Sequence, residues 1–192
     1  MKIGVLALQG DFAEHIHILK ALGVAASEVR LPDHLVGLDA LIIPGGESTT
    51  IGKLAVAYDL IPPLQEFASR HPVWGTCAGA IFISKDAQRD QPLLGLMDIV
   101  VERNAFGRQV ASFEVDLPVP EITAMNGDMR PYHAIFIRAP LIESVHGTAR
   151  VLAQLADGRI VAAQQGHLLA TSFHPELTDD DRFHRYFLSL IK

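Results

Sequence analysis

Residues 39–60 read DALIIPGGESTTIGKLAVAYDL. An unbroken apolar run, Ala40 to Ile43, stops at Pro44-Gly45-Gly46, and a helix-forming stretch begins shortly after. A strand that is apolar at every position must be covered on both faces, as strands of parallel sheets are. The two glycines let the backbone turn sharply and approach a ligand, and Ser48 or Thr49 can cap the helix that follows. The loop is not a phosphate loop, because the G-x-x-x-x-G-K-[ST] spacing is absent. A buried strand, a tight turn and a helix form the repeating unit of an α/β sandwich.

The same order recurs on both sides. "KIGVLAL" (2–8) is another buried strand, and Asp11 with Glu14 reads as a cap and third-residue pair opening a helix. Phe12, Ile16, Leu19 and Leu22 give that helix an apolar stripe, and Gly23 ends it. "SEVRL" (27–31) reads as a weaker strand. "PLQEFASR" reads as a helix separated from the preceding one by Pro62-Pro63. "PVWG" is a short strand, and Ala78 to Lys85 a helix.

The second half changes character. Strands are expected at 98–103, 111–117, 134–139 and 167–173, and "RVLAQL" and "RIVAAQ" flank a hairpin turn at Ala156-Asp157-Gly158. A helix over Asp179 to Ile191 carries Phe183, Tyr186, Phe187 and Leu190 on one side. Residues 119–133 read as a long loop. The expectation is a three-layer, flavodoxin-like α/β sandwich. Its sheet is mixed but mostly parallel, with helices on both faces and antiparallel additions in the second half. Residues 1–192 are expected to form a single domain.

Composition bounds the function. The 192 residues are 49% hydrophobic and 20% charged, enough for a sizeable core. The net charge is −6 and Lys and Arg do not cluster, which argues against a nucleic-acid partner. No apolar run approaches the roughly 18 residues of a membrane span, and the N-terminal run reads as a strand rather than a signal peptide. A single cysteine suits a reducing compartment, so a cytoplasmic location is expected.

That cysteine lies in "VWGTCAGAIFIS" (73–84), where Gly75-Thr76-Cys77-Ala78-Gly79 has the form G-x-C-x-G between a strand and a helix. This is the thiol version of a nucleophile elbow. A helix N-terminus beside the sulfur favours thiolate, and the Ala78 N–H can stabilise an oxyanion. A lone buried cysteine can equally be an inert small apolar residue, so the pentapeptide alone leaves both readings open. A thiol nucleophile needs a base. In "SFHPELT" (172–178), Pro175 biases His174 toward extended backbone. Residues two apart in such a segment share a side, so Glu176 can orient the His174 ring. The same three residues also suit an ordinary proline-capped surface turn.

Together, Gly75 to Gly79, Pro44 to Thr49 and His174-Pro175-Glu176 resemble the triad-type (class I) glutamine amidotransferases. Further segments narrow the resemblance: "GVLALQGDFAEH" (4–15), "LIIPGGESTTI" (41–51), "VVERNAFGRQVASFE" (100–114), "IFIRAP" (135–140) and "SFHPELTDD" (172–180) are similar to glutaminase subunits of pyridoxal 5′-phosphate synthases. The R-N-x-F-G-R-Q segment and the Gln9-Gly10 pair after the first strand are its most specific parts. Departures are small: Ala105 where Ser is frequent, Ala80 where Leu is usual, and a longer loop at 119–133.

The resemblance implies an enzyme that releases ammonia from L-glutamine, with Cys77 as nucleophile, His174 as base and Glu176 as its orienting carboxylate. It places Gly46, Glu47, Ser48, Arg103, Ile137 and Arg138 at the glutamine site, with backbone of Gly45, Gly46 and Ala78 around the oxyanion. Chemistry agrees in kind, since an arginine can grip the glutamine carboxylate and Glu47 can meet its ammonium. Which arginine grips is open, and either is otherwise a strand-end surface charge. No cofactor and no metal are implied. The motifs run from residue 4 to about 180, which leaves no second domain to use the ammonia. The implied partner is a (β/α)₈ synthase subunit, in an assembly of twelve glutaminases around twelve synthases, with Gln9-Gly10 near the docking face.

Rival readings are a glutaminase serving another synthase, such as that for imidazole glycerol phosphate, a non-catalytic regulatory member of the fold, and a cysteine peptidase on a related fold. The R-N-x-F-G-R-Q segment speaks against the first and third, and the complete triad against the second. His15 and His17 fall on different helix faces, a poor geometry for a metal, and read as solvated. His133, His146 and His167 form no ligand-spaced cluster.

Overall fold

The structure, a computed structural model, describes residues 1–103 and 112–192. The strands are β1 (Lys2–Leu6), β2 (Ala25–Val29), β3 (Ala40–Ile43), β4 (Val73–Thr76), β5 (Ser84–Asp86), β6 (Met97–Glu102), β7 (Ser112–Leu117), β8 (Tyr132–Ile137), β9 (Leu141–Val145), β10 (Arg150–Gln154), β11 (Ile160–Gln165) and β12 (Leu168–Thr171). The helices are α1 (Phe12–Ala21), α2 (Ser48–Ala57), α3 (Ile61–Ala68), α4 (Ala78–Ile83), α5 (Pro120–Asn126) and α6 (Arg182–Ser189).

Among the described residues, ten strands form one sheet in the order β2-β1-β3-β4-β12-β11-β9-β6-β5, with β10 paired to β11. The first five are parallel and repeat the flavodoxin-like order. From β12 onward the pairings with β11, β10, β9 and β6 are antiparallel, and β5 returns parallel to β6. β7 and β8 make a separate antiparallel hairpin running from Ser112↔Ile137 to Leu117↔Tyr132.

The continuous apolar run of β3 has a direct explanation. Leu41 and Ile43 point into one core with Ile51 and Ala55 of α2, Leu64 of α3 and Phe82 of α4. Ala40 and Ile42 point into the other, with Leu19 of α1, Trp74 and Phe183 and Phe187 of α6. Both faces of the strand are dry, so neither can carry polar side chains. The β7–β8 hairpin closes the second core through Tyr132 and Phe136, which meet Phe173 and Phe183 edge-on or tilted.

Several expectations are corrected. Residues 120–126 are helical: Pro120 supplies the preset φ of a first turn, and Gly127, in the left-handed region at φ 73°, ends the helix. Pro62-Pro63 belong to the first turn of α3, where no N–H is required of them. The helix after Cys77 stops at Ile83, and Ser84 to Asp86 form a strand. β2 starts at Ala25, earlier than expected, and "LIESV" adds β9. Ala111 and most of the R-N-x-F-G-R-Q segment lie outside the described residues.

Candidate active site

The glycine loop, the elbow, the His174 turn and the segment after β1 all leave the carboxyl ends of parallel strands, while Arg103 and Arg138 reach the same edge from β6 and the β7–β8 hairpin. Gln9 and Asp11 follow β1, Gly45 to Ser48 follow β3, Cys77 follows β4 and His174 follows β12. In open α/β sheets this edge holds the ligand crevice. Here it forms a cleft of about 540 Å³ lined by Gln9, Asp11, Gly46, Glu47, Ser48, Cys77, Ala78, Ile81, Arg103, Ile137, Arg138, Pro140, His174 and Leu177.

The elbow requires its glycines. Cys77 sits at φ 48°, ψ −108°, a conformation uncommon for any residue with a Cβ. A Cβ on Gly75 would lie 2.5 Å from the Gly79 carbonyl, and one on Gly79 would lie 1.9 Å from the Ile43 oxygen. Strand, turn and helix are therefore in backbone contact. Cys77 N–H donates to the Thr171 carbonyl at 2.8 Å, which ties the elbow to β12, the strand that leads to His174.

His174 is held from three sides. Its N–H donates to Ile135 O of β8 at 2.8 Å. Its Nδ1 donates to Glu176 Oε1 at 2.6 Å. Gly45 passes flat against the ring, where a Cβ would stand 2.6 Å from Cε1. With Nδ1 committed, Nε2 is the nitrogen left for the thiol. Burial works against the charged imidazole, but the hydrogen bonds it donates to Cys77 and Glu176, with their negative charge, overcome it and push His174 up to about 10. Glu176 is buried, which on its own disfavours the carboxylate; His15 and His174 together outweigh this and hold it far below the usual range.

The remaining residues surround the cleft. Glu47 caps α2, accepting from Thr49 N and Thr50 N, and pairs with Arg103 Nη2 at 2.7 Å. Burial opposes its charge, and these partners bring it down to about 2. Its carboxylate is thus already engaged by the cap and by Arg103, while part of it stays exposed to the cleft. Ser48 Oγ lies 3.4 Å from Gln91 Oε1. Arg138, at φ 43°, follows β8 and has no ion pair among the described residues. Glu47 N–H is taken by Gln9 Oε1 at 2.7 Å, so Gln9 braces the glycine loop. Ala78 opens α4, leaving its N–H without a helical acceptor. Donor atoms of Asp11, His174 and Glu176 lie within 4.8 Å of one another, a spacing that fits a metal ion, but His174 Nδ1 carries a hydrogen for Glu176.

A model of the SNO glutamine amidotransferase family matches residues 5–192. The chain belongs to that family. A protein of Herpetosiphon aurantiacus named pyridoxal 5′-phosphate synthase subunit PdxT is 58% identical over 195 residues, covering 99% of this chain and 100% of that protein. One of the same name from Moorella thermoacetica is 55% identical over 193 residues, with all of both covered. A crystal structure described as a glutamine amidotransferase is 51% identical, with a TM-score of 0.91 over 98% of each chain. The structure of PurLQS from Thermotoga maritima, 18% identical with a TM-score of 0.68 over 100% of this chain and 98% of that one, shares the fold.

Within this SNO-family site, two residues escaped the sequence reading. Asp11 makes no capping bond; its carboxylate turns to the cleft, 3.6 Å from His174 Nδ1. Burial and the nearby Glu176 raise it above the ordinary Asp value, while His174 pulls the other way. His15 is fully buried rather than solvated. The signal was the stripe itself: position 15 lies three after Phe12 and four before Leu19, on the face that packs against the sheet.

Proposed function

We propose that this chain hydrolyses L-glutamine to L-glutamate and ammonia, and hands the ammonia to a separate synthase subunit for pyridoxal 5′-phosphate formation. The observation that carries this reading is the buried Cys77–His174–Glu176 array on a strained elbow, in a chain more than half identical to proteins named PdxT. The Cys77 thiolate attacks the side-chain amide carbon of glutamine, and its proton rests on His174 Nε2. The tetrahedral oxyanion sits between the Ala78 N–H and the Gly45-Gly46 loop, where each donor is worth about 3 kcal/mol of barrier. His174 gives the proton to the departing ammonia. Water, deprotonated by the same ring, then hydrolyses the thioester to glutamate and free thiol.

Gly46, Glu47, Ser48, Arg103, Ile137 and Arg138 hold the amino-acid end of the substrate. Residues 1–192 act as one glutaminase domain in the cytoplasm. Ammonia released into water at neutral pH is mostly protonated and no longer nucleophilic, so a partner seated over the cleft mouth gives the reaction its use. We assign that partner as a (β/α)₈ synthase subunit, in a complex of twelve glutaminases and twelve synthases, on the strength of the resemblance. The test is glutamate release with and without the synthase subunit. Cys77→Ala should abolish release and leave complex formation intact; full turnover by that variant would remove Cys77 from the mechanism. Co-purification with a synthase of imidazole glycerol phosphate instead would reassign the partner.

A further inference from the structure

The proposed triad ends at Glu176, but the polar chain in the structure does not. His15 Nε2 stands 3.3 Å from Glu176 Oε2 and 3.3 Å from Thr76 Oγ1. Thr76 is the residue before the nucleophile and Glu176 the carboxylate behind the base. One imidazole therefore bridges the two halves of the site. On its other side, His15 Nδ1 lies 3.0 Å from His184 Nε2 of α6. Trp74 walls the pair, edge-on to both rings. All four polar side chains are buried.

The direction of the donors follows from chemistry. A carboxylate only accepts, so His15 Nε2 carries a hydrogen. Burial holds His184 neutral, down at about 3, despite the pull of Glu176. His184 Nδ1 has no partner among the described residues. A buried N–H left unpartnered is rare in native proteins, so the hydrogen belongs on Nε2, which donates to His15 Nδ1. The order is then His184 to His15, and His15 toward Glu176, whose other oxygen receives His174. The His15 hydrogen is directed at Thr76 Oγ1, and Glu176 Oε2, 3.3 Å from the same nitrogen, has no fully formed hydrogen bond among the described residues. Even so, no other donor reaches that oxygen among the described residues. A fully buried carboxylate with one oxygen unmet would favour its neutral form.

We propose that His15, anchored by His184, is a positioning residue for the glutaminase: it holds the second oxygen of Glu176 and so keeps that carboxylate ionised and aimed at His174. This deepens the proposed function and rests on it. The titratable groups facing Glu176 are His174 in its own turn, His15 and Asp11 at α1, His184 on α6 and Tyr132 on β8. Of these, only His174 and His15 bring an N–H within 3.5 Å of the carboxylate.

The test uses the chain with its synthase subunit. His15→Phe removes the donor, His15→Gln can place an amide N–H where Nε2 was, and His15→Asn is polar but too short to reach. Three measurements are needed: glutamate release, thermal midpoint, and the pH dependence of Cys77 alkylation by iodoacetamide. The expected result is a loss of roughly 10- to 100-fold in kcat/KM for Phe and Asn, the worth of one hydrogen bond to a charged group. Gln should recover most of it. The alkylation profile should shift to higher pH in Phe and Asn, a change that loosened packing alone does not produce. Equal activity of Gln and Asn variants, or an unshifted alkylation profile in a folded Phe variant, would overturn the proposal. If the parent chain itself releases no glutamate, the failure lies with the glutaminase reading and not with His15.

Discussion

Arg103 and Glu47 meet at the rim of the cleft, Nη2 of one 2.7 Å from Oε1 of the other. Glu47 also caps α2 and accepts from Thr50 Oγ1. The pair is therefore a structural clamp between the glycine loop and the end of β6, as well as part of the lining. Arg138 faces the same cleft with its charge unshared among the described residues. On the proposed reading, an incoming glutamine carboxylate would meet this guanidinium without displacing a partner among the described residues. Arg138→Ala should raise KM for glutamine by roughly 10- to 100-fold, the worth of a charge-assisted bond, with little change in thermal midpoint. Arg103→Ala should lower both the midpoint and kcat/KM, because it also releases Glu47. Steady-state kinetics and melting curves on the two variants separate these roles. A larger KM effect from Arg103 would make that residue the carboxylate grip.

Two glycines near the sulfur are expected to fail in different ways. An added methyl on Gly79 strikes the Ile43 carbonyl, backbone against backbone, 1.9 Å away. Gly79→Ala should force β3 and α4 apart and cost roughly 1–3 kcal/mol of stability, with about 2–4 °C lost from the midpoint per kcal/mol. A methyl on Gly45 meets the His174 ring 2.6 Å away. Gly45→Ala should displace the base and suppress glutamate release with a smaller loss of stability. Retention of activity in Gly45→Ala would mean that the ring has room to move.

The contrast between these glycines and His15 shows what the sequence makes legible. Proline–glycine breaks after buried strands and the G-x-C-x-G spacing mark backbone requirements, which few other residues meet, so the β3 and β4 turns could be read directly. The closeness of His174 and Glu176 was expected from an extended chain, but Pro175 to Leu177 form a 3₁₀ turn, and it is this tight turn that folds the carboxylate back to 2.6 Å from the ring. His15 depends on long-range packing: its partners stand 61, 161 and 169 positions away, in β4, the β12 turn and α6. A histidine on a helix has no local mark for that. Asp11 was misread for a related reason. Asp before a helix is usually a cap, but here the Asp11 N–H is engaged by Gly45 O and the carboxylate turns to His174. The helix at 120–126 was hidden because its proline and its Asn-Gly end are also loop residues.

The protonation of His174 makes stability depend on pH. Its folded value, about 10, lies above the unfolded value of about 6.5. The folded state therefore holds a proton that the unfolded chain has lost across that window. The resulting stabilisation is complete below about 6.5 and disappears as pH rises through about 10. Glu176 acts in the opposite sense: its depressed value gives stability above the ordinary carboxylate range that is lost on acidification. The thermal midpoint of the parent should fall steadily on the alkaline side, and His174→Gln should flatten that slope. Parallel slopes for the two would show that no imidazolium is buried there.

Cys77 adopts its strained conformation because the elbow dictates it. The φ of 48° with ψ of −108° lies outside the regions open to residues with a Cβ, and such strain costs on the order of 1–3 kcal/mol. Glycine lacks the Cβ and escapes the penalty, against roughly 0.4–1 kcal/mol from its freer unfolded chain. Cys77→Gly and Cys77→Ala both lose the sulfur, and both should be inactive. They differ only in whether a Cβ remains at the bend. The glycine variant should therefore melt at a higher temperature than the alanine variant, although a buried glycine ordinarily destabilises. Calorimetry on the two inactive proteins checks this, and a lower midpoint for glycine would mean that the elbow stores no strain at its nucleophile.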